Sequence, residues 1–514
     1  MFYNSSNEYN DCTAHGACSI APDISSMYEI MLILFRQISF YIINLKAIGI
    51  DKSDTIYSLI EKIASIDNIK ELSQSQILDL LLFLYNDFQN CKNEYKNKCK
   101  SLEIKPKSIK NIINITPQTS ISTILKLGEK EFLNKYKNKD TEKKYLQEIL
   151  VSVIRSTAIN LLNFKEFSCD CSDTADMAVS GLNLLNLRIS AQNIKLFIDK
   201  LALCNIELLS RINRLRQEKF GMPQTVEVSL STRQNKAIMV SGNNLNDLSN
   251  LLEYTKDKDI DIYTNGSLLI AHTYPYFRNF KNLIGHFGND VINTMLDFAT
   301  FPGAILLTKN EIQNIEYLYR GRLFSTDNII PVGISKLKNK DFQPLIESAL
   351  QAKGFAKGQT RTSKIIGYNI QDLDTKLDKL ISNNPKNIYI IGFSDLRADN
   401  LNYFKSFFSD FNDNDCAISF SYNPNKNNVL HINLAYDYPM FNYVMEKIFE
   451  KIPVNSDNLN IYLAKCDINS ISNIIYLKNR GVKNISILPC PPYVINPSVL
   501  KVFMKIYDIK NLCK

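Results

Sequence analysis

Tryptophan is absent from this chain, which with its richness in Asn, Lys and Ile is a compositional bias without functional content. A block of basic residues is also missing. The formal charge of +8 comes from Lys and Arg scattered among Asp and Glu, so it reads as a solvated surface. Nucleic-acid binding calls for clustered cations with aromatics between them, and no such stripe exists. The most apolar early stretch, 31–45, is interrupted by Arg36 and Gln37, falls short of the about 20 residues of a membrane span, and predicts a buried helix. The opening MFYNSSNEYNDC lacks the basic start of a secretory signal. Eleven cysteines without such a signal point to reduced thiols in a cytoplasm rather than a disulfide framework. A G-x-x-x-x-G-K-[ST] phosphate loop is absent, and Ser394 lacks the G-x-S-x-G context of a hydrolase nucleophile.

What is present is a change of periodicity. The 514 residues, 45% hydrophobic and 22% charged, suffice for two or three globular domains. Up to about residue 215, segments 28–48, 73–91, 142–162 and 193–217 place apolar residues three and four apart, the spacing of amphipathic helices. Stretch 97–115, rich in Lys, Asn and Ser, predicts a connection between two helical packing units. A breaker cluster, Phe220-Gly221-Met222-Pro223, closes this region.

Short β-type runs then alternate with amphipathic segments: AIMVSG, DIYTNG, AILLTK and NIIPVG. A Gly- and Lys-rich link at 353–358 leads to NIYIIG, AISFSY, VLHINL, NIYLAK and NISILP. Such alternation predicts two mostly parallel α/β domains. The expected division is a helical domain at 1–218, a first α/β domain at 219–358 and a second at 359–514. Ligands of open α/β sheets lie outside the carboxyl ends of the strands. Seven positions at or just past those ends are therefore the candidate site: Asn243, Ser267, Glu311, Ser394, Tyr422, Ala435 and Asp467. The set holds no Cys, no His and only two carboxylates.

Five collinear stretches give the chain a resemblance: KFGMPQTVEVSL (219–230), AIMVSGNNLNDLSNLLE (237–253), DIYTNGSLLIAHTYP (261–275), KDFQPLIESALQAKGF (340–355) and GVKNISILPCPPYVINPSVLKVF (481–503). They resemble the hybrid-cluster protein (prismane, hydroxylamine reductase) family, whose more distant relatives are carbon monoxide dehydrogenases. The resemblance implies two three-helix bundles followed by two Rossmann-like domains. It also implies an iron–sulfur cluster near the N-terminus and a hybrid iron–sulfur–oxygen cluster held by one His, two Glu and four Cys. Carried over by position, the His falls on Asn243, the first Glu on Ser267 and a Cys on Glu311. The cysteine that bears a persulfide in many members falls on Ser394. The remaining two Cys fall on Tyr422 (or Asn423) and Ala435, and the last Glu on Asp467. Of the N-terminal motif, Cys12 and Cys18 remain, while its first pair falls on Tyr3 and Ser6.

Asn, Ser, Tyr and Ala cannot replace the thiolates of a multi-iron cluster. The expectation is thus a cytoplasmic, non-catalytic relative without its hybrid cluster, which binds a small polar ligand or a protein partner. No cofactor is expected; the alternative is an iron–sulfur cluster. Glu311 and Asp467 could serve a hard cation or act as an acid–base pair. Cys12 and Cys18 read as inert thiols, or as half of a cluster shared across a dimer, with His15 completing a weak zinc site as a further option. The competing enzyme reading is a hydroxylamine or nitrogen-oxide reductase with a rearranged metal site that recruits Cys416, Cys466 or Cys490. Cys169-Asp-Cys171 reads as a surface loop, Cys91 and Cys99 as packing residues on one helix face, and His272 and His286 as satisfied helix and loop residues.

Overall fold

The computed structural model describes residues 22–109, 113, 115–116, 118–136, 141–288, 294–309, 318–394, 398–465, 467–488 and 497–512. Seven described helices come first: α1 (Pro22–Ala47), α2 (Ser53–Ser65), α3 (Gln74–Ser101), α4 (Ile121–Tyr136), α5 (Thr141–Lys165), α6 (Ser172–Leu184) and α7 (Ala191–Phe220). The three- and four-residue spacing is the cause, since each helix turns one apolar stripe inward. In α3 that stripe is Ile77, Leu80, Leu81, Leu84, Phe88, Cys91, Tyr95 and Cys99. Ser73 starts the helix with a capping box, accepting from the Gln76 amide while the Gln76 side chain accepts from the Ser73 amide.

Strand β1 (Val226–Ser229) opens the α/β region, followed by β2 (Ala237–Ser241), α8 (Leu245–Thr255), β3 (Asp261–Asn265), α9 (Pro275–Arg278) and β4 (Leu283–His286). Then come α10 (Thr294–Thr300), β5 (Ala304–Leu307), β6 (Leu323–Ser325), β7 (Ser335–Lys336) and α11 (Gln343–Gln351). The chain continues with β8 (Ser363–Ile366), α12 (Ile370–Ile381), β9 (Ile388–Ser394), α13 (Ala398–Ser409), β10 (Cys416–Ser419), β11 (Val429–His431) and α14 (Tyr438–Lys451). It ends with β12 (Leu459–Ala464), α15 (Ile468–Asn479), β13 (Asn484–Ile487), α16 (Pro497–Ile506) and β14 (Ile509–Asn511).

Two six-stranded sheets result, ordered β4-β3-β2-β5-β6-β7 and β11-β10-β9-β12-β13-β14, and β1 pairs with β8 in a separate antiparallel ribbon. Every pairing within the two large sheets is parallel. Parallel sheets are covered on both faces, so their strands read as continuous apolar runs, and β2, β3 and β5 are buried at every residue. In each sheet the strand order reverses beside the first strand of the series, between β2 and β5 and between β9 and β12. These are the switch points at which crevices open in doubly wound sheets.

The described residues fall into two compact units, one drawn from Met1–Ile206, Asp467–Tyr476 and Pro492–Asp508, the other from Glu207–Cys466, Leu477–Pro491 and Ile509–Lys514. In the helical unit α1 packs on α3, α4 and α6, and α5 on α2, α6 and α16. Its interior holds a closed polar network. Asn205 donates to Ser156 (2.8 Å) and Ser472 (3.0 Å), Asn160 donates to Asn205 (2.9 Å) and Asn469 (3.1 Å), and Ser156 donates to Asn469 (2.8 Å). In the second unit each large sheet has its own aromatic-rich core, around Met239, Tyr263, Phe298 and Phe301 in one and Ile391, Phe404, Phe408 and Ala464 in the other.

The structure corrects two expectations. NIIPVG is no strand: Pro331 and Gly333 (φ +88°) form a turn, with the Ile334 amide facing the Pro331 carbonyl. The strands are its neighbours, β6 and β7. The connection expected from residue 97 starts at Leu102 instead, because buried Tyr95 and Cys99 carry the apolar stripe of α3 through that Lys- and Asn-rich stretch. A boundary at 218/219 falls in the last turn of α7, and one at 358/359 between α11 and β8. Helix α1, long and apolar enough to cross a membrane by length and composition, has 67% of its most apolar window buried inside the protein.

Candidate functional site

The fold puts the described candidates at the carboxyl ends of parallel strands. Asn243 follows β2, Ser267 lies in the 3-10 turn Gly266–Thr273 after β3, and Ser394 is the last residue of β9. Tyr422 follows β10, Ala435 follows β11, and Asp467 lies between β12 and α15. Glu311, Cys12, Cys18, His15, Tyr3, Ser6, Cys466 and Cys490 lie outside the described residues.

In the first sheet the strand ends are cross-tied by polar side chains. Ser241 Oγ donates to Asn265 Oδ1 (2.9 Å), and Asn265 Nδ2 donates to the Phe287 carbonyl (2.7 Å) and to Asp297 (3.1 Å). Thr308 Oγ1 accepts from the amides of Asn243 (3.2 Å) and Asn244 (3.3 Å), and Asn244 caps α8. Just behind, Thr264 Oγ1 sits between His272 Nε2 (2.9 Å) and His286 Nδ1 (3.0 Å). His286 is therefore a buried strand residue rather than a loop residue, and both rings are committed to Thr264. Burial lowers His272 to about 4 against a hydrogen bond with the Gly285 backbone. Burial, then the charges of His272 and Lys364, hold His286 well below its ordinary value.

At the second sheet the strand ends are packed with aromatic rings around an amine. Phe393, next to Ser394, has ring centroids of Tyr436, Tyr438 and Phe441 at 5.5, 5.2 and 4.8 Å. Lys465 Nζ lies 5.0 Å from the Tyr436 centroid, 5.4 Å from Tyr438 and 5.9 Å from Phe393, within cation–π range. The backbone bends sharply here: Ala435 and Tyr436 take φ of +49° and +62°, and the Asn433 side chain accepts from the Ala435 amide (3.0 Å). Tyr422 is partly buried and packs on Phe408 (5.9 Å), against the core of this sheet. Asp467 Oδ1 accepts from the amide and hydroxyl of Ser470 (3.0 and 3.1 Å), which spends it on the start of α15.

One ion pair ties residues from the two sheets and α7 together. Arg216 donates to Asp437 (2.6 Å) and to the Asn243 carbonyl (3.3 Å), with side chains only 6% and 2% exposed. Asp437 also caps α14 through the Met440 amide (2.8 Å). Burial, the largest single effect, depresses the guanidinium, but the charges and hydrogen bonds of Asp437 and Tyr274 together outweigh it and raise Arg216 above its ordinary value. Tyr274 and Tyr368 lie beside this pair, and burial pushes both phenols up. Nothing in the sequence pairs Arg216 with a residue 221 positions away, and Lys465 carries no motif of its own.

The described thiols lie elsewhere. Cys91 and Cys99 are buried on α3 as expected. Cys171 is buried rather than in a surface loop, because it begins α6 and its sulfur meets the Tyr57 hydroxyl at 3.3 Å. Cys416 starts β10, at the strand end opposite the candidate site, and burial pushes its thiol up to about 12. Among the described residues no group of three or more His, Cys, Asp or Glu is arranged to hold a metal.

The sequence profile of the Prismane/CO dehydrogenase family matches residues 7–418. The chain belongs to that family. This prismane-family chain is 23% identical over 526 residues to a hydroxylamine reductase of Zymomonas mobilis, covering 98% of this chain and 94% of that protein. It is 22% identical over 536 residues to one of Petrotoga mobilis, covering 98% and 97%. A hydroxylamine reductase of Thermodesulfovibrio yellowstonii matches at 28% identity over 327 residues, and that match spans 60% of each protein.

The residues described at the strand ends do not fit an iron–sulfur assembly. Such clusters take thiolate, with imidazole or carboxylate at selected irons, whereas Asn243, Ser267, Ser394, Tyr422 and Ala435 offer an amide, hydroxyls, a packed phenol and a methyl group, and Asp467 a single carboxylate bonded to Ser470.

Proposed function

We propose that this prismane-family protein lacks the hybrid cluster, is non-catalytic as a reductase, and acts in the cytoplasm by binding a small polar ligand at its strand ends or a protein partner. The finer architecture that goes with this reading is two three-helix bundles followed by two Rossmann-like domains, for which the reversal of strand order in each sheet is the support. The donor set carries the reading. Six described positions that the resemblance equates with cluster ligands present no sulfur and no imidazole. Lys465, one residue beyond the Ala464 that pairs with Ser394, adds a fixed positive charge there, which opposes cationic metal. A dimer, or a pairing with a family member that keeps its ligands, is the form of partnership this reading admits.

The competing reading takes its support from the relatives named above: a reductase of hydroxylamine or related nitrogen oxides with a rearranged site. Of its three thiols, Cys416 sits three residues before the end of β10, about 10 Å away along the strand. Anaerobic purification, iron and labile-sulfide counts, and electron paramagnetic resonance separate the two. A colourless, iron-free protein that unfolds cooperatively supports the cluster-free reading. Several irons per chain with a cluster resonance overturn it.

A further inference from the structure

The cavity that best carries a function lies away from the described strand-end positions, none of which lines it. It has a volume of about 980 Å³ and opens between α10 and the strap 353–362 that joins α11 to β8. Among the described residues three cations line it, Lys353, Lys357 and Arg361, all from the strap, together with Phe287 and Phe355. The rings pack at 5.9 Å, and the Arg361 guanidinium lies 5.6 Å from the Phe287 centroid. Phe355 is only half-buried and lines the cavity.

The strap is tied down at both ends. The Gly354 amide donates to the Pro302 carbonyl (3.1 Å) and the Phe355 amide to the Asn235 carbonyl (2.9 Å). Gln359 and Thr232 exchange both backbone hydrogen bonds, and the Arg361 amide donates to Ser231 Oγ. Gly354 has φ of +70°, and a Cβ there would come within 2.7 Å of the Asn235 carbonyl oxygen, so the close approach requires glycine. The cations thus project from a fixed backbone rather than a free loop.

Among the described residues Lys353, Lys357 and Arg361 have no carboxylate within ion-pair distance. Asp297, the one acid among the described lining residues, already accepts from Asn265. Three like charges on one wall repel until an anion joins them, and an arginine beside two lysines suits phosphate oxygens. Thr360 in the same lining adds a hydroxyl donor.

We propose that this cavity binds a phosphate ester bearing a flat ring, a mononucleotide-type ligand, with the phosphate on Lys353, Lys357 and Arg361 and the ring against Phe355. The site is independent of whether iron is present. The test is calorimetric titration of the full chain with adenosine 5′-monophosphate, adenosine and inorganic phosphate as probes. The monophosphate is expected to bind in the micromolar range, with adenosine and phosphate each at least about tenfold weaker. Lys353→Glu/Lys357→Glu should weaken the monophosphate about tenfold or more, and Phe355→Leu should weaken it while leaving phosphate unchanged. Lys376→Glu, exposed on α12, should change nothing. Circular dichroism checks that each variant folds, and Lys353→Glu alone serves if the double variant does not. No binding of the monophosphate at millimolar concentration, equal affinity for phosphate and monophosphate, or indifference to the charge reversals would each overturn the assignment.

Discussion

Asp437→Asn tests whether the Arg216 pair is a structural centre of the α/β unit. Asparagine still caps a helix N-terminus about as well as aspartate, so the bond to the Met440 amide survives in kind and only the charge is removed. What remains is a guanidinium in a site where its side chain is 6% exposed, facing no anion. Breaking one side of a buried pair costs about 3–5 kcal/mol, because the surviving charge stays desolvated. Asp437→Ala should cost about 1 kcal/mol more for the lost cap. Arg216→Met combined with Asp437→Asn should recover most of the loss, since a neutral interior needs no counter-charge. Hydrogen exchange read on peptides covering 213–222 and 436–445 gives the local opening free energy, backed by urea unfolding followed through circular dichroism. A loss below about 1 kcal/mol for Asp437→Asn, or a double variant as unstable as that single one, would refute the argument.

Acid should destabilise the first sheet. The folded chain holds His272 at about 4 against 6.5 for the free residue, so the unfolded chain binds its proton first. Stability is then full above pH 6.5 and falls as pH drops toward 4, by about 3 kcal/mol from this residue, with His286 adding in the same direction; urea midpoints between pH 7 and 4 check it. Asn205→Ala should cost about 1–3 kcal/mol by taking the donor from Ser472 and one bond each from Asn160 and Ser156, which keep Asn469, read as faster exchange in α5 and α7. In native protein Cys416 should resist iodoacetamide while the half-exposed Cys169 and Cys204 react, as mass spectrometry of tryptic peptides would report; alkylation of Cys416 as fast as theirs would mean the strand opens.

Sequence alone determined the class of this fold, because helices and buried parallel strands have different apolar periods and the switch near Phe220 is abrupt. It also determined that the strand ends carry amides, hydroxyls and a methyl group, since position after an apolar run needs no coordinates. Helix ends and turns were less legible: the polar surface of the last turn of α3 looks like a loop until Tyr95 and Cys99 find neighbours in the core. Only tertiary structure decided which distant residues meet. Arg216 and Asp437, the Lys465 amine among its rings, the two histidines at Thr264, and the cationic wall beside Phe355 are pairings across the chain. Their energies come from burial and charge proximity, quantities that exist only once the sheets are packed.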